Sequence, residues 1–194
     1  MTGIPLWSPK NSFNKLTEFH KSNKEKLKDN SYESLHEWSI NNKKEFWSYV
    51  WDFTKIIGKK NDPIIENESD FINSIFFKNS QLNYTENILS KNDKTDAIVF
   101  FSEQKIKRRV SWNNLNRDVH KFSQYLQKIN VKKGDRIAGI LPNIPETVIS
   151  FLGVAKIGAI WSSCSADFGP RAIIDRFKQI EPKVLIITDE YYYN

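Results

Sequence analysis

Short apolar runs alternate with helix-like segments in RIAGILPNIPETVISFLGVAKIGAIWSSCSADFGPRAIIDRFKQIEPKVLIIT, residues 136–188. The runs are RIAGIL (136–141), AIWSS (159–163) and KVLIIT (183–188). Continuous apolar runs are typical of strands whose two faces are both covered. A helix that Pro145 opens and Gly158 closes separates the first two runs, and Gly169-Pro170 opens another before the third. This order predicts right-handed βαβ units around a parallel sheet, and therefore an α/β fold.

The residues just before this stretch predict a hairpin and an amphipathic helix. AIVFF (97–101) has the composition of a strand, and the residues up to Trp112 read as a turn and a returning strand. Ser111 is placed to cap the next helix. Its apolar residues recur at helical spacing: Leu115, Val119, Phe122, Leu126 and Ile129.

The chain before about residue 95 is rich in Lys, Asn, Trp and Phe, and it predicts short helices joined by irregular links. Ser12 can cap the first helix. Asn42 with Glu45 resembles a capping box, and Gly58 is placed to end the helix that follows. The apolar stripe of that helix is Phe46, Trp47, Val50, Trp51, Thr54 and Ile57. Such a stripe favours a buried face over an aromatic ligand site. Asn61 to Asn79 reads as a loop.

The formal net charge is +6, and the excess lies in the first two thirds of the chain. Residues 1–60 carry 11 lysines and 7 acidic residues, whereas residues 135–194 carry 6 basic and 7 acidic residues. The densest basic runs are HKSNKEKLK (20–28) and KIKRR (105–109). They are interpreted as a solvated helix face and a hairpin tip, with a phosphate-binding patch as the alternative.

The single cysteine, Cys164, excludes a disulfide framework within the chain and a cysteine-rich zinc site. The three histidines are scattered without ligand spacing. The N-terminal MTGIPLWSPK lacks the basic-then-apolar order of a signal peptide, and no apolar stretch of about 18 residues is present. These features predict a cytoplasmic protein that does not span a membrane.

One loop stands out as a candidate ligand site. Ser162 to Gly169 follows the carboxyl end of a predicted parallel strand and precedes a helix, which is where ligands bind in open α/β sheets. The loop is small and polar, and the helix N-terminus that follows favours anions. From these residues alone, a ligand-facing loop and an ordinary connection remain equal alternatives.

Several stretches together resemble the N-terminal part of the acetoacetate–CoA ligases, within the family of adenylate-forming acyl-CoA synthetases. They include PLWSP (5–9), FWSYVWDF (46–53), LNYTENIL (82–89), KKGDRIAGILPNIPE (132–146) and WSSCSADFG (161–169). The last string is the specific one, because acetyl- and propionyl-CoA synthetases carry a glycine-rich F-G-G-F string there. The family usually has Pro where this chain has Ala166.

The resemblance implies two regions: a helical N-terminal cap over residues 1–95, and residues 96–194 as the incomplete start of an AMP-binding (adenylation) domain with its first βαβ units. It implies a reaction in which ATP and acetoacetate form an acyl-adenylate, with Mg²⁺, before CoA displaces AMP. Family members are roughly three times longer, so the catalytic residues are expected downstream and the chain alone is expected to be inactive. ATP, CoA and Mg²⁺ are expected for the complete enzyme, and none is expected to bind this chain tightly.

By the same resemblance, Ser165, Ala166 and Asp167 fall on the loop beside the CoA nucleotide. Asp167 suits a phosphate-rich ligand only if it accepts from the adenine amine or the ribose. No nucleic acid is expected as a partner. Two alternatives stay open: a ligase for another short acid such as acetate or propionate, and a stand-alone basic binding module.

Overall fold

A computed structural model describes residues 14–102 and 106–191 of the chain. The chain forms two compact units, one ending at Gln81 and one beginning at Leu82. Ser12 and the PLWSP string lie outside the described residues. The boundary predicted after residue 95 concerns family domains, and it stays a prediction.

Three helices make the core of the first unit: α1 (Lys15–Ser22), α2 (Tyr32–Asn41) and α3 (Lys43–Phe53). A 3-10 turn (Lys24–Lys26) links the first two. The buried side chains Phe19, Leu35 and Trp38 form a cluster with Phe46, Tyr49, Val50 and Phe53 from α3. Of the predicted stripe, Phe46 and Val50 pack in this cluster and Trp51 is buried. Trp47 and Ile57 are 39% and 40% exposed, and Thr54 and Ile57 follow the end of α3.

The helix ends in this unit differ from those predicted. The N-cap of α1 within the described residues is Asn14, whose Oδ1 accepts from the Thr17 amide at 2.9 Å. The capping box at Asn42 is wrong: Asn42 makes no side-chain cap of α3, and its side-chain amide instead donates to the Trp38 carbonyl, which also accepts from the Asn42 backbone amide. Helix α3 ends at Phe53 rather than at Gly58, and Lys55 takes the left-handed conformation that glycine usually supplies there.

The segment predicted as a loop over 61–79 is mostly irregular, but it contains two short strands, β2 (Ile65–Glu66) and β3 (Ile75–Phe76). Two more short strands flank it, β1 (Gly58–Lys59) and β4 (Gln81–Leu82). Strands β2 and β3 pair antiparallel, with Ile65 opposite Phe76. Two-residue strands carry too little periodicity to be recognised from sequence.

The second unit begins with α4 (Tyr84–Ile88), followed by the antiparallel hairpin of β5 (Asp96–Ser102) and β6 (Ile106–Ser111). Helix α5 (Trp112–Lys128) starts at Ser111, whose side chain accepts from the Asn114 amide as predicted. Its predicted stripe is buried at Leu115, Val119 and Leu126.

The parallel sheet is confirmed. Its elements are β7 (Arg136–Ile140), α6 (Pro145–Lys156), β8 (Ile160–Cys164), α7 (Pro170–Phe177) and β9 (Val184–Ile187). The strand order is β8-β7-β9, so the earliest strand lies in the centre. Ile140 at the end of β7 is level with Cys164 on one side and with Ile187 on the other. Gly158 has the positive φ of +73° expected of the residue that closes α6.

Both faces of the central strand are covered. Ile137 lies on the face that also holds Leu126 of α5 and Val154 of α6, and Ala138 packs on Phe177 of α7. The outer strand β9 is less protected, because Leu185 and Ile187 are 49% and 63% exposed. Within residues 14–102 and 106–191, no helix has the length and apolar character needed to cross a membrane.

Candidate functional site

The candidate site lies at the edge of the sheet where all three parallel strands end. Strands β7, β8 and β9 finish at Ile140, Cys164 and Ile187, which the register places side by side. The loops that follow therefore leave the sheet at one edge. In open α/β sheets this edge is the usual place for a ligand.

The loop after β8 contains the three residues singled out in the sequence. Ser165 and Asp167 are exposed, and Ala166 between them is partly buried. The Ser165 hydroxyl donates to Asp167 Oδ2 at 2.6 Å, and the Asp167 amide donates to Ser165 Oγ at 3.2 Å. The two side chains thus close a small turn that fixes the loop.

A residue that sequence reasoning did not select joins this loop. The hydroxyl of Tyr191, from the segment after β9, donates to Asp167 Oδ1. The hydrogen bonds from Ser165 and then from Tyr191 hold the pKa of Asp167 below its ordinary value, because both favour the charged carboxylate. The available signal was position: Tyr191 follows β9 as Asp167 follows β8, at the same edge of a parallel sheet.

The beginning of α7 borders the loop and offers unsatisfied amide groups. Gly169 caps this helix without a side-chain hydrogen bond, and Pro170 occupies the first turn. A side chain added at Gly169 would meet nothing within 4 Å. This end of α7 is therefore open to a ligand that accepts hydrogen bonds.

The thiol beside the loop is not a nucleophile. Cys164 is only 8% exposed, and burial raises the pKa of its thiol, an effect that Arg176 only partly offsets. The Arg176 guanidinium lies 4.8 Å from the centre of the Phe168 ring, in cation–π contact.

A cavity of about 590 Å³ opens on the far side of Tyr191. Its lining comes from the hairpin and the loops after β7 and β9: Phe100, Phe101, Ser102, Arg108, Pro142, Asn143, Ile144, Glu146, Asp189, Glu190 and Tyr191. Arg108 and Glu146 form an ion pair of 2.5 Å in its wall. Tyr191 is thus shared between the cavity and the loop that contains Asp167.

Four cations of the two basic runs form ion pairs with acidic residues. Lys26 and Lys28 contact Glu45 and Glu37 at 2.5 and 2.7 Å. In the second run, Arg109 pairs with Asp96 and Arg108 with Glu146, while Lys105 lies outside the described residues. Among the residues that the structure describes, no group of three or more His, Cys, Asp or Glu is arranged for a metal ion.

The chain matches known proteins along nearly all of its length. The family described as AMP-binding enzyme matches residues 86–193. The chain is 39% identical to acetoacetyl-coenzyme A synthetase of Rhizobium meliloti (strain 1021) over 84% of its length, and 36% identical to acetoacetyl-CoA synthetase of Danio rerio over 97%. These stretches cover 25% and 29% of the two relatives, so the chain spans about a quarter of their length.

A solved structure shows the same fold. Acetoacetyl-CoA synthetase from Streptomyces lividans superposes with a TM-score of 0.88 at 31% identity, covering 98% of this chain and 31% of that one. The predicted α/β class is confirmed, as an N-terminal part of that fold. The family match spans more than half of the residues and includes the whole parallel sheet. The chain therefore belongs to the family of AMP-binding enzymes.

Proposed function

We propose that these residues are the N-terminal part of an acetoacetate–CoA ligase. In that reaction a carboxylate oxygen of acetoacetate attacks the α-phosphorus of ATP and pyrophosphate leaves. The CoA thiol then attacks the carbonyl carbon of the adenylate, the carbon–oxygen bond to AMP breaks, and the thiol proton passes to solvent. The observation that carries the proposal is the similarity to acetoacetyl-CoA synthetases over nearly the whole chain, in sequence and in fold.

The loop Ser165–Asp167 is proposed as one wall of the CoA nucleotide site. Its exposure, its place at the carboxyl edge of the sheet and the open start of α7 support this role. The small side chain of Ala166 lets a ligand approach the backbone, since it fills little space between the two polar residues. The loop's contribution is positional, through a fixed backbone rather than through a reacting group.

ATP and Mg²⁺ belong to the same proposal; among the described residues, no group of three or more His, Cys, Asp or Glu is arranged to hold a metal ion. We expect the 194 residues alone to release no AMP, because they correspond to about a quarter of the relatives. We also infer a cytoplasmic location and no nucleic-acid partner, from the lone buried cysteine and the paired basic residues.

Activity measurements test the ligase assignment directly. The 194-residue chain and the complete polypeptide of its gene are assayed for AMP release with ATP, CoA and acetoacetate, acetate or propionate. We expect turnover only with the complete polypeptide and the highest kcat/KM for acetoacetate. A tenfold preference for acetate would refute the substrate, and steady turnover by the chain alone would refute its incompleteness.

A substitution tests the CoA wall within the complete polypeptide. Ala166→Glu puts a carboxylate on the loop, where it should repel the phosphates of CoA and raise KM for CoA by about tenfold. The KM for ATP should not change. The matched control is Gln179→Glu, which adds the same charge at an exposed position after α7. An equal KM for CoA in both variants would contradict the site.

A further inference from the structure

We infer that Tyr191 and Asp167 form a clamp that positions the CoA nucleotide loop, with Asp167 as a positioning residue rather than a group that touches the ligand. This inference rests on the proposed function, since it concerns the same loop. It assigns a role to Tyr191, and it changes the role that the resemblance implies for Asp167.

The clamp joins two segments that are far apart in the sequence. Asp167 follows β8 and Tyr191 follows β9, and these are the two outer strands of the sheet, on opposite sides of β7. The hydrogen bond between their side chains therefore bridges the full width of the three strands. The segment after β9 is also joined to the central strand, since the Thr188 amide donates to the Ile140 carbonyl at 3.3 Å.

The hydrogen bonding of Asp167 favours a positioning role for its side chain. One carboxylate oxygen accepts from the Ser165 hydroxyl and the other from the Tyr191 hydroxyl. Ser165 Oγ also accepts from the Asp167 amide, which directs its own proton toward the carboxylate. Both carboxylate oxygens thus accept from donors within the protein, and these bonds fix the side chain in the loop.

The clamp has a structural consequence for the loop backbone. The amides of Asp167 and Phe168 both donate to Ser165, to its hydroxyl and its carbonyl oxygen. If Tyr191 releases Asp167, this turn loses the contact that ties it to the β9 side of the sheet. A bound nucleotide would then have to order the loop, and the free-energy cost of ordering it would lower the affinity of the protein for the nucleotide.

The first experiment uses the 194-residue chain and needs no ligand. Amide hydrogen exchange at Asp167 and Phe168 is compared in wild type, Tyr191→Phe, Asp167→Asn and the control Tyr125→Phe, which removes a hydroxyl from an exposed face of α5. A hydrogen bond is worth up to about tenfold in an opening equilibrium. We expect exchange to be faster by up to that factor in the first two variants, and unchanged in the control. Unchanged exchange in Tyr191→Phe would overturn the clamp.

The second experiment uses the complete polypeptide. Tyr191→Phe should raise KM for CoA by about three- to tenfold, in line with one lost hydrogen bond, and leave kcat and acetoacetate-dependent ATP–pyrophosphate exchange unchanged. Asp167→Asn should raise KM for CoA by a similar factor. Asp167→Glu, which retains the carboxylate, should recover part of the CoA affinity. A fall in kcat with KM unchanged would place Asp167 at the reacting atoms and overturn the inference.

The two experiments separate this inference from the proposed function. If the wild-type polypeptide shows no CoA-dependent turnover, the ligase assignment fails while the exchange data still decide whether the clamp exists. If the wild type is active and Tyr191→Phe binds CoA as well as Tyr125→Phe does, the ligase assignment stands and the positioning role is refuted.

Discussion

Gly139 in the central strand is the position where the smallest added group should have a large effect. A Cβ placed there would lie 2.5 Å from Cη2 and 2.7 Å from Cζ2 of the Trp161 ring. Carbon atoms in contact normally lie about 3.5–4.0 Å apart. The Trp161 side chain is partly buried on the sheet face covered by α5 and α6, so the ring must shift against that packing to make room for the added carbon.

The expected size of the effect follows from two opposing terms. Overpacking of this kind costs about 1–3 kcal/mol. Replacing glycine in a strand with alanine recovers about 0.5–1 kcal/mol of backbone entropy. Gly139→Ala should therefore lower the free energy of unfolding by about 1–2 kcal/mol. For a chain of this length that is a fall in Tm of about 2–8 °C.

Urea denaturation followed by circular dichroism measures this change. Gly169→Ala is the matched control, since a Cβ there meets nothing within 4 Å, and it should change stability little. Trp161→Phe in the Gly139→Ala background removes the distal ring atoms that clash. The double variant should therefore lose less free energy of unfolding than the two single variants lose together, and the difference should be a coupling energy of about 0.5–3 kcal/mol.

Two results would refute this reasoning. Equal stability of Gly139→Ala and Gly169→Ala would show that the sheet absorbs the added carbon without cost. Strict additivity in the double variant would show that the destabilisation does not arise from the Trp161 ring.

Three further predictions concern the core, the thiol and the response to acid. Leu126→Ala leaves a cavity at a fully buried position between α5 and the sheet, and it should lower the free energy of unfolding, measured in urea, by about 2–5 kcal/mol. A smaller loss than in Leu185→Ala, at an exposed position, would contradict the packing. Cys164 should react with a thiol reagent at least about tenfold more slowly in the folded chain than in urea, since it is buried with a raised pKa; equal rates would contradict its burial. The pKa of Asp135 is lowered, chiefly by its hydrogen bond from Lys183 and then by the Lys132 amide, from an ordinary 3.8. The stabilisation from this carboxylate is therefore present above its unfolded pKa and is lost as pH falls through its folded pKa. In Asp135→Asn, Tm should therefore fall less than in the wild type between about pH 5 and pH 2.5. An equal fall of Tm in both proteins would contradict this prediction.

The second unit was more predictable than the first for a physical reason. Pro145, Gly158 and Pro170 fix the backbone at helix ends, and the strands between them are continuous apolar runs. In the first unit Lys55 takes the left-handed conformation after α3, and the side chain of Asn42 donates a hydrogen bond back to α2. Both conformations depend on local hydrogen bonding, which leaves no periodic signal in the sequence.

The candidate site was only partly predictable. The loop from Ser162 to Gly169 was singled out because it follows a predicted strand and precedes a helix, and the family resemblance then selected Ser165, Ala166 and Asp167 within it. Tyr191 was missed because its distance from Asp167 depends on strand order. Alternating strands and helices predict a parallel sheet, but they do not say that β7 lies between β8 and β9. The hydrogen bond between Tyr191 and Asp167 could therefore be recognised only from the fold.

The same strand order bears on how the protein is made. A ribosome synthesises β7 first, then β8, then β9, and each later strand pairs with β7 from the outside. None of these three strands has to be inserted between two that are already paired. The order in which the strands are synthesised is thus also the order in which they can join the sheet, from the innermost strand outward. Both outer strands, β8 and β9, pair with β7, which is already present when they are synthesised. Each new pairing spans only one helical crossover or two, which keeps the entropy of loop closure modest during translation.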